Sequence, residues 1–320
     1  MPEGCGGKFW AGAPTTPEKT WFQTPLDQVP MTLSNKPSNN NNPYTTLATS
    51  PVTHEKPFLY VDSSDHYYVF IPALRLHSSG TTWAKGSAAG SSIPIEDFFI
   101  AKPADSAKAI NVALARGQNL IMTPGVYYLD RTIEVKRPGT VVLGLGFPTL
   151  VPETGAVAMS IADVKGVKLA GLLFDAGPIN SPVLLQVGTR HADKSDPADP
   201  TSIQDVFFRI GGAGLGMATT SLVVNSDNVL LDDIWAWRAD HGNGVGWTLN
   251  TADTGVIVNG DDVTAYGLFV EHYQKYQVIW NGENGRTIMF QNEMPYDPPN
   301  QAAWARRRQG LRRLQSGRLR

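Results

Sequence analysis

Three stretches of this chain repeat one another: VKLAGLLFDAG from Val167, NVLLDDIWAWRADHG from Asn228 and DVTAYGLFVEHYQ from Asp262. Val167 and Leu172, Val229 and Ile234, and Val263 and Leu268 keep the same offset of five residues. Between the members of each pair lies a corner that carries Asp or Gly. A short strand, a corner and a second short strand cannot bury its inner face alone. Stacked on copies of itself, it buries one continuous apolar column, and each strand bonds to the rungs above and below at about 4.8 Å. Self-similarity of this kind therefore points to an all-β, single-stranded parallel β-helix.

The rest of the chain is consistent with such a solenoid. After KPFLYV, HYYVFIPALRLH and IPIEDFFIAK, which alternate like strands, QNLIMTPGVYYLDRTIEVKRPGTVVLGLGFPTLVPE continues as short apolar runs broken by Pro and Gly. Only PADSAKAINVALAR, residues 103–116, has a helical period: Asp105 or Ser106 can cap it, Ile110 and Leu114 share a face, and Gly117 stops it. Residues 1–56, with SNKPSNNNNPY at their centre, read as an irregular, linker-like segment, and residues 57–304 as the solenoid. The last sixteen residues, 305–320, carry seven Arg and no alternation. They read as a non-native, frameshift-like tail, and further coils are expected in the natural protein.

Charge and composition narrow the function classes. With 27 basic and 29 acidic side chains and a net charge of −2, the chain offers no basic stripe before residue 305 for nucleic acid or an anionic membrane. No run of about 18 apolar residues is present for a membrane span. The single Cys5 forms no internal disulfide, and MPEGCGGKFWAGAP lacks the features of a secretory leader. No cofactor is expected: zinc-ligand spacing is absent, and GLGFPTL lacks the strand-to-helix context of a phosphate cradle. A neutral ligand fits the charge, and 8 Trp and 10 Tyr supply rings suited to sugars or to a core.

Glu271 and Glu293 follow similar alternating runs and stand 22 residues apart, one turn of the solenoid. Stacked rungs would place them on neighbouring strands, where mutual repulsion holds a proton on one of them to higher pH. The plainer reading is a pair of outward strand residues in solvent. Asp227, Asp232, Asp233, Asp253, Asp261 and Asp262 read mainly as corner residues that accept backbone N–H bonds. Asp240 and His241 in RADHG, with Trp237, His272, Tyr273, Trp280 and Tyr296, are the candidates for substrate contact. Trp235 and Trp237 share the face opposite Ile234 and Ala236, which turns large rings outward.

The segment PADSAKAINVALARGQNLIMTPGVYYLD resembles the N-terminal cap and first coil of pectin-lyase-like right-handed β-helices, where a short helix plugs the open end. The run RADHGNGVGWTLNTADTGVIVNGDDVTAYGLFVEHYQKYQVIWNGENGRTIMFQNEMPYDPP resembles β-1,3-glucanases of the laminarinase type, glycoside hydrolase family 55, the likeness covering residues 95–304. The resemblance implies a right-handed parallel β-helix with a capping helix, hydrolysis of a neutral polysaccharide, foremost β-1,3-glucan, and an extracellular or cell-surface setting. It also implies Glu293 as general acid and Glu271 as the acidic partner that helps position the attacking water. Two other readings stay open: a polysaccharide lyase of the β-helix type, and a non-catalytic carbohydrate-binding or surface β-helix or inactive fragment. The oligomeric state is not readable from the residues.

Overall fold

The computed structural model describes residues 49–80 and 88–305. Most of the linker-like segment before residue 49 and nearly all of the basic tail lie outside them. Five short strands come first: β1 (Ser50–Thr53), β2 (Phe58–Val61), β3 (Tyr67–Pro72), β4 (Arg75–Ser78) and β5 (Gly90–Pro94). The coils follow with β6 (Phe98–Ala101), helix α1 (Ala107–Ala115), β7 (Asn119–Met122), β8 (Val126–Leu129), β9 (Ile133–Val135), β10 (Val141–Gly144), β11 (Thr149–Pro152) and β12 (Met159–Ile161). The long rungs are β13 (Lys168–Asp175), β14 (Ser181–Val187), β15 (Ser202–Ile210), β16 (Ala218–Val224), β17 (Leu230–Arg238), β18 (Thr254–Val258), β19 (Thr264–Glu271), β20 (Tyr276–Trp280) and β21 (Arg286–Glu293).

These strands form two long parallel sheets. One runs β6-β7-β10-β13-β15-β17-β19-β21, and the other β9-β12-β14-β16-β18-β20. Each crossover returns the chain to the first sheet one rung higher, which is a parallel β-helix. Val167, Leu172, Val229, Ile234, Val263 and Leu268, the repeating pairs, are all fully buried in one apolar cluster that runs the length of the stack. Full burial of each such side chain contributes roughly 1.5–3 kcal/mol.

The corner between the members of each pair is a left-handed residue inside the strand. Gly171 (φ 72°), Asp205 (φ 50°), Asp233 (φ 55°) and Gly267 (φ 61°) occupy equivalent positions in successive rungs. Gly adopts this conformation without a Cβ clash and Asp tolerates it. The kink bends each long strand so that its two halves face different directions. Ser106 caps α1 by accepting from Ala109 N, and Ile110 and Leu114 close the first coil's end of the apolar cluster.

Two boundaries differ from the sequence reading. The parallel coiling begins at Phe98, not at residue 57: β2, β3 and β5 form an antiparallel sheet, and Val69 packs with Ile121, Leu143 and Ala170 on the outer face of the first rungs. Alternation of apolar residues is the same in parallel and antiparallel strands, so the pattern did not distinguish them. Residues 50–56, read as part of a linker, are an ordered strap. β1 pairs antiparallel with β4, and Ser50, Thr53, His54 and Glu55 are buried.

The strap lies over an outward row of the first sheet. Tyr266 donates its hydroxyl to Val52 O, Gln204 donates to His54 O, and Lys56 pairs with Asp205. Beneath it, burial pushes the Asp233 carboxyl up to about 8, with the neighbouring Asp205 and Asp232 adding to the shift. Asp232 is raised well above the usual carboxylate range for the same reason, burial first. The chain's own N-terminal side thus covers Asp205 and Asp233, and Asp232 in part.

Candidate active site

Past the kink, the outward residues of the first sheet form two neighbouring rows. Leu173, Phe207, Trp235, Phe269 and Gln291 are register partners in successive rungs, and so are Asp175, Arg209, Trp237, Glu271 and Glu293. Alternation puts Ile234, Ala236, Leu268 and Val270 into the apolar column, which leaves these rows facing out. The pairing of Glu271 with Glu293 is direct. The spacing of 22 residues is one turn of this solenoid.

The two carboxylates have different surroundings. Glu271 is 3% exposed, and its Oε2 accepts from Trp235 Nε1 at 3.0 Å. Its acidity is weakened chiefly by burial; Glu293 adds to that shift and the Trp235 hydrogen bond opposes it. Glu293 is more open, with 37% of its side chain exposed. Its Oε1 accepts from Gln291 Nε2 at 3.1 Å, its Oε2 accepts from the Tyr296 hydroxyl, and His272 Nε2 lies 3.2 Å from the same oxygen. That hydrogen bond to Glu293 pushes the Tyr296 phenol up to about 12. The two carboxyls thus hold different partners: Glu271 the Trp235 indole of β17, Glu293 Gln291 of β21 together with Tyr296 and His272.

Asp240, His241, Trp237, His272 and Tyr296 gather around the pair. His241 Nδ1 lies 2.8 Å from Asp240 Oδ1, and its ring packs on Trp237 at 5.1 Å. Trp237 in turn stacks on Trp235, with centroids 5.4 Å apart. The buried imidazole of His272 sits between two acids, with Asp240 3.7 Å from Nδ1 and Glu293 3.2 Å from Nε2. Tyr296, 68% exposed, covers the His272 ring at 4.7 Å.

Two candidates are not part of this surface. Tyr273 is fully buried and its hydroxyl is 2.6 Å from Ser221 Oγ inside the column. The left-handed backbone at His272 (φ 65°) turns the chain there, and the ring that follows enters the core. Trp280 belongs to β20 in the second sheet, pairs in register with the core residue Val258 and packs against the apolar cluster. Of the corner aspartates, Asp227 Oδ1 accepts Asp261 N at 2.7 Å and Asp261 Oδ1 accepts Glu283 N at 2.6 Å, the turn role expected of them.

Sequence reasoning left out Trp235 as a partner of Glu271, Gln291 as a partner of Glu293, and the Arg238–Asp297 ion pair behind them. For Gln291 a signal was present, since it lies two residues before Glu293 on the same face of β21. Trp235 becomes legible only when the register of three rungs is counted, and the ion pair spans 59 residues without a local pattern.

A family model for the LAM55 pectate lyase-like domain matches residues 98–293. The chain belongs to this family. It is 56% identical over 261 residues to an exo-beta-1,3-glucanase of Streptomyces sp. (strain SirexAA-E / ActE), an alignment that covers 82% of this chain and 43% of that protein. Among solved structures it is similar to sacteLam55A from Streptomyces sp. SirexAA-E, with 55% identity and a TM-score of 0.81 over 84% of this chain and 49% of that one. A glutamate-to-alanine variant of sacteLam55A in complex with glucose matches with the same TM-score at 54% identity. The chain thus spans less than half the length of these relatives. The shared architecture is a right-handed parallel β-helix.

Proposed function

We propose that this LAM55 β-helix carries the acid-catalyst face of a β-1,3-glucan hydrolase. One observation carries the reading: Glu271 and Glu293, a full turn apart in the chain, are register partners on an outward face lined by aromatic rings. The 56% identity to an exo-beta-1,3-glucanase supports the same reading.

Glu293 is the general acid. It is the member of the pair that a bound sugar can touch, and its proton passes to the glycosidic oxygen as the bond from that oxygen to the anomeric carbon breaks. Water attacks the anomeric carbon and gives up a proton to a carboxylate. Glu271 is the partner. Burial, with the neighbouring Glu293 adding, holds the Glu271 carboxyl above the usual carboxylate range. Inverting hydrolysis requires a carboxyl separation of about 6.5–9.5 Å to admit the attacking water. Asp240, with His241 and the Trp237 ring, contacts the sugar: the carboxylate accepts from hydroxyl groups and the indole packs on a pyranose face. An extracellular setting follows from a polymeric substrate.

Incubation with β-1,3-gluco-oligosaccharides tests the reading. The expected product is free glucose or shorter saturated oligosaccharide. An unsaturated product absorbing in the ultraviolet would mark a lyase, and binding without turnover would mark a carbohydrate-binding module; either result contradicts the proposal.

A further inference from the structure

Behind the acidic face lies a fully buried arginine that the chemistry above does not use. Arg238 ends β17, and its guanidinium is engaged on every nitrogen. Nε donates to Asn250 O at 2.8 Å, and Nη1 donates to Asp297 Oδ1 at 2.8 Å and to His272 O at 3.3 Å. Nη2 donates to Asp297 Oδ2 at 2.7 Å, with Gly246 O and Asn250 Oδ1 at 3.2 and 3.3 Å. The Trp247 ring lies 5.5 Å from Cζ. The pairing with Asp297 is bidentate, which fixes orientation as well as distance.

One side chain on the β17 rung thus grips the backbone of His272, which follows β19, and the carboxylate of Asp297, which follows β21. Asp297 directly follows Tyr296 in the chain. Tyr296 donates its hydroxyl to Glu293 and lays its ring on His272. The line from Arg238 therefore reaches Glu293 by two routes, through Asp297 and Tyr296 and through His272.

We propose that Arg238 and Asp297 are positioning residues for Glu293: they hold Tyr296 and His272 against its carboxyl and so set where its proton is presented. This rests on the glucan-hydrolase reading. A simple fold staple would need neither the bidentate geometry nor a partner adjacent to Tyr296. Lysine would supply the charge at residue 238 but not the fork.

The test compares Asp297→Asn, Tyr296→Phe and the double variant in the full chain. Asp297 has 21% of its side chain exposed and Tyr296 lies at the surface, so these variants are expected to fold, whereas Arg238→Ala would leave Asp297 and buried carbonyls unpaired. With β-1,3-gluco-oligosaccharides, Asp297→Asn should lower kcat by roughly 10–100-fold with KM within about twofold, the pattern of a lost transition-state interaction. The alkaline limb of kcat against pH, which reports deprotonation of the general acid, should move in the same direction as in Tyr296→Phe, and the double variant should be no slower than Asp297→Asn alone. Additive losses, or an unmoved pH profile with only a lower melting temperature, would overturn the proposal. A crystal structure of Asp297→Asn is independent of activity. If the chain hydrolyses no glucan, a Tyr296 hydroxyl displaced from Glu293 still supports the positioning role, and an undisturbed one rejects it.

Discussion

The first sheet carries two stacked carboxylate pairs, Asp205 beside Asp233 at the kinks and Glu271 beside Glu293 at the far end of their strands. Both pairs arise from the same device, acids at equivalent positions of successive rungs. Their surroundings decide what they can do. Asp205 and Asp233 are buried under the strap, with Lys56 as countercharge to Asp205. Glu271 and Glu293 lie on an open row, with hydrogen-bond donors from Trp235, Gln291 and Tyr296 and aromatic rings alongside. Stacking creates the electrostatic tension in both places, but only Glu293, with 37% of its side chain exposed, can pass a proton to something that arrives from solvent.

The comparison breaks or sharpens under substitution. The largest expected effect is on turnover in Glu293→Gln: loss of the proton donor should cut kcat on β-1,3-gluco-oligosaccharides by about 10³-fold or more, with the melting temperature unchanged. Glu271→Gln should cost less, about 10²-fold, because the amide oxygen still accepts from Trp235 while the charge is lost; circular dichroism should show an intact fold. On the covered side the same kind of change should act on stability alone. Lys56→Met leaves Asp205 without its countercharge, with an expected cost of about 1–2 kcal/mol in denaturant titrations, between the exposed and buried limits for an ion pair, and unchanged kcat.

The smallest effect concerns pH. The Asp233 carboxyl is raised from 3.8 to about 8 in the folded protein, so the folded state binds its proton more tightly than the unfolded chain does. Its contribution to stability is fully present below about 4 and is lost as pH rises through about 8. Asp233→Asn should therefore flatten the decline of melting temperature between those limits and raise the melting temperature at pH 8. A variant as pH-sensitive as the parent would show that the covered cluster is not the origin of the slope.

Much of this was legible in the sequence because it follows from periodicity. The offset of five in Val229 and Ile234 or Val263 and Leu268 marked the apolar column, and the interval between Glu271 and Glu293 marked the rung that joins β19 to β21, although earlier long rungs take more residues. What escaped was set by bends and by distant partners. The side-chain direction of Tyr273 depends on the left-handed backbone at His272, which no pattern announces. Trp280 lies near the acids in the chain but on another sheet. The strap was hidden because SPVTHEK has no strong strand signature, and its burial comes from Tyr266, Gln204 and Asp205, which are 149 to 214 residues away. The Arg238–Asp297 pair was invisible for the same reason.

The account depends most on Glu271 and Glu293 acting as one unit, and the kinetic double-mutant cycle between them tests this directly. If the pair shares one function, Glu271→Gln combined with Glu293→Gln should reduce kcat no further than Glu293→Gln alone. If the two losses multiply, the acids act separately and their stacking is incidental to the chemistry.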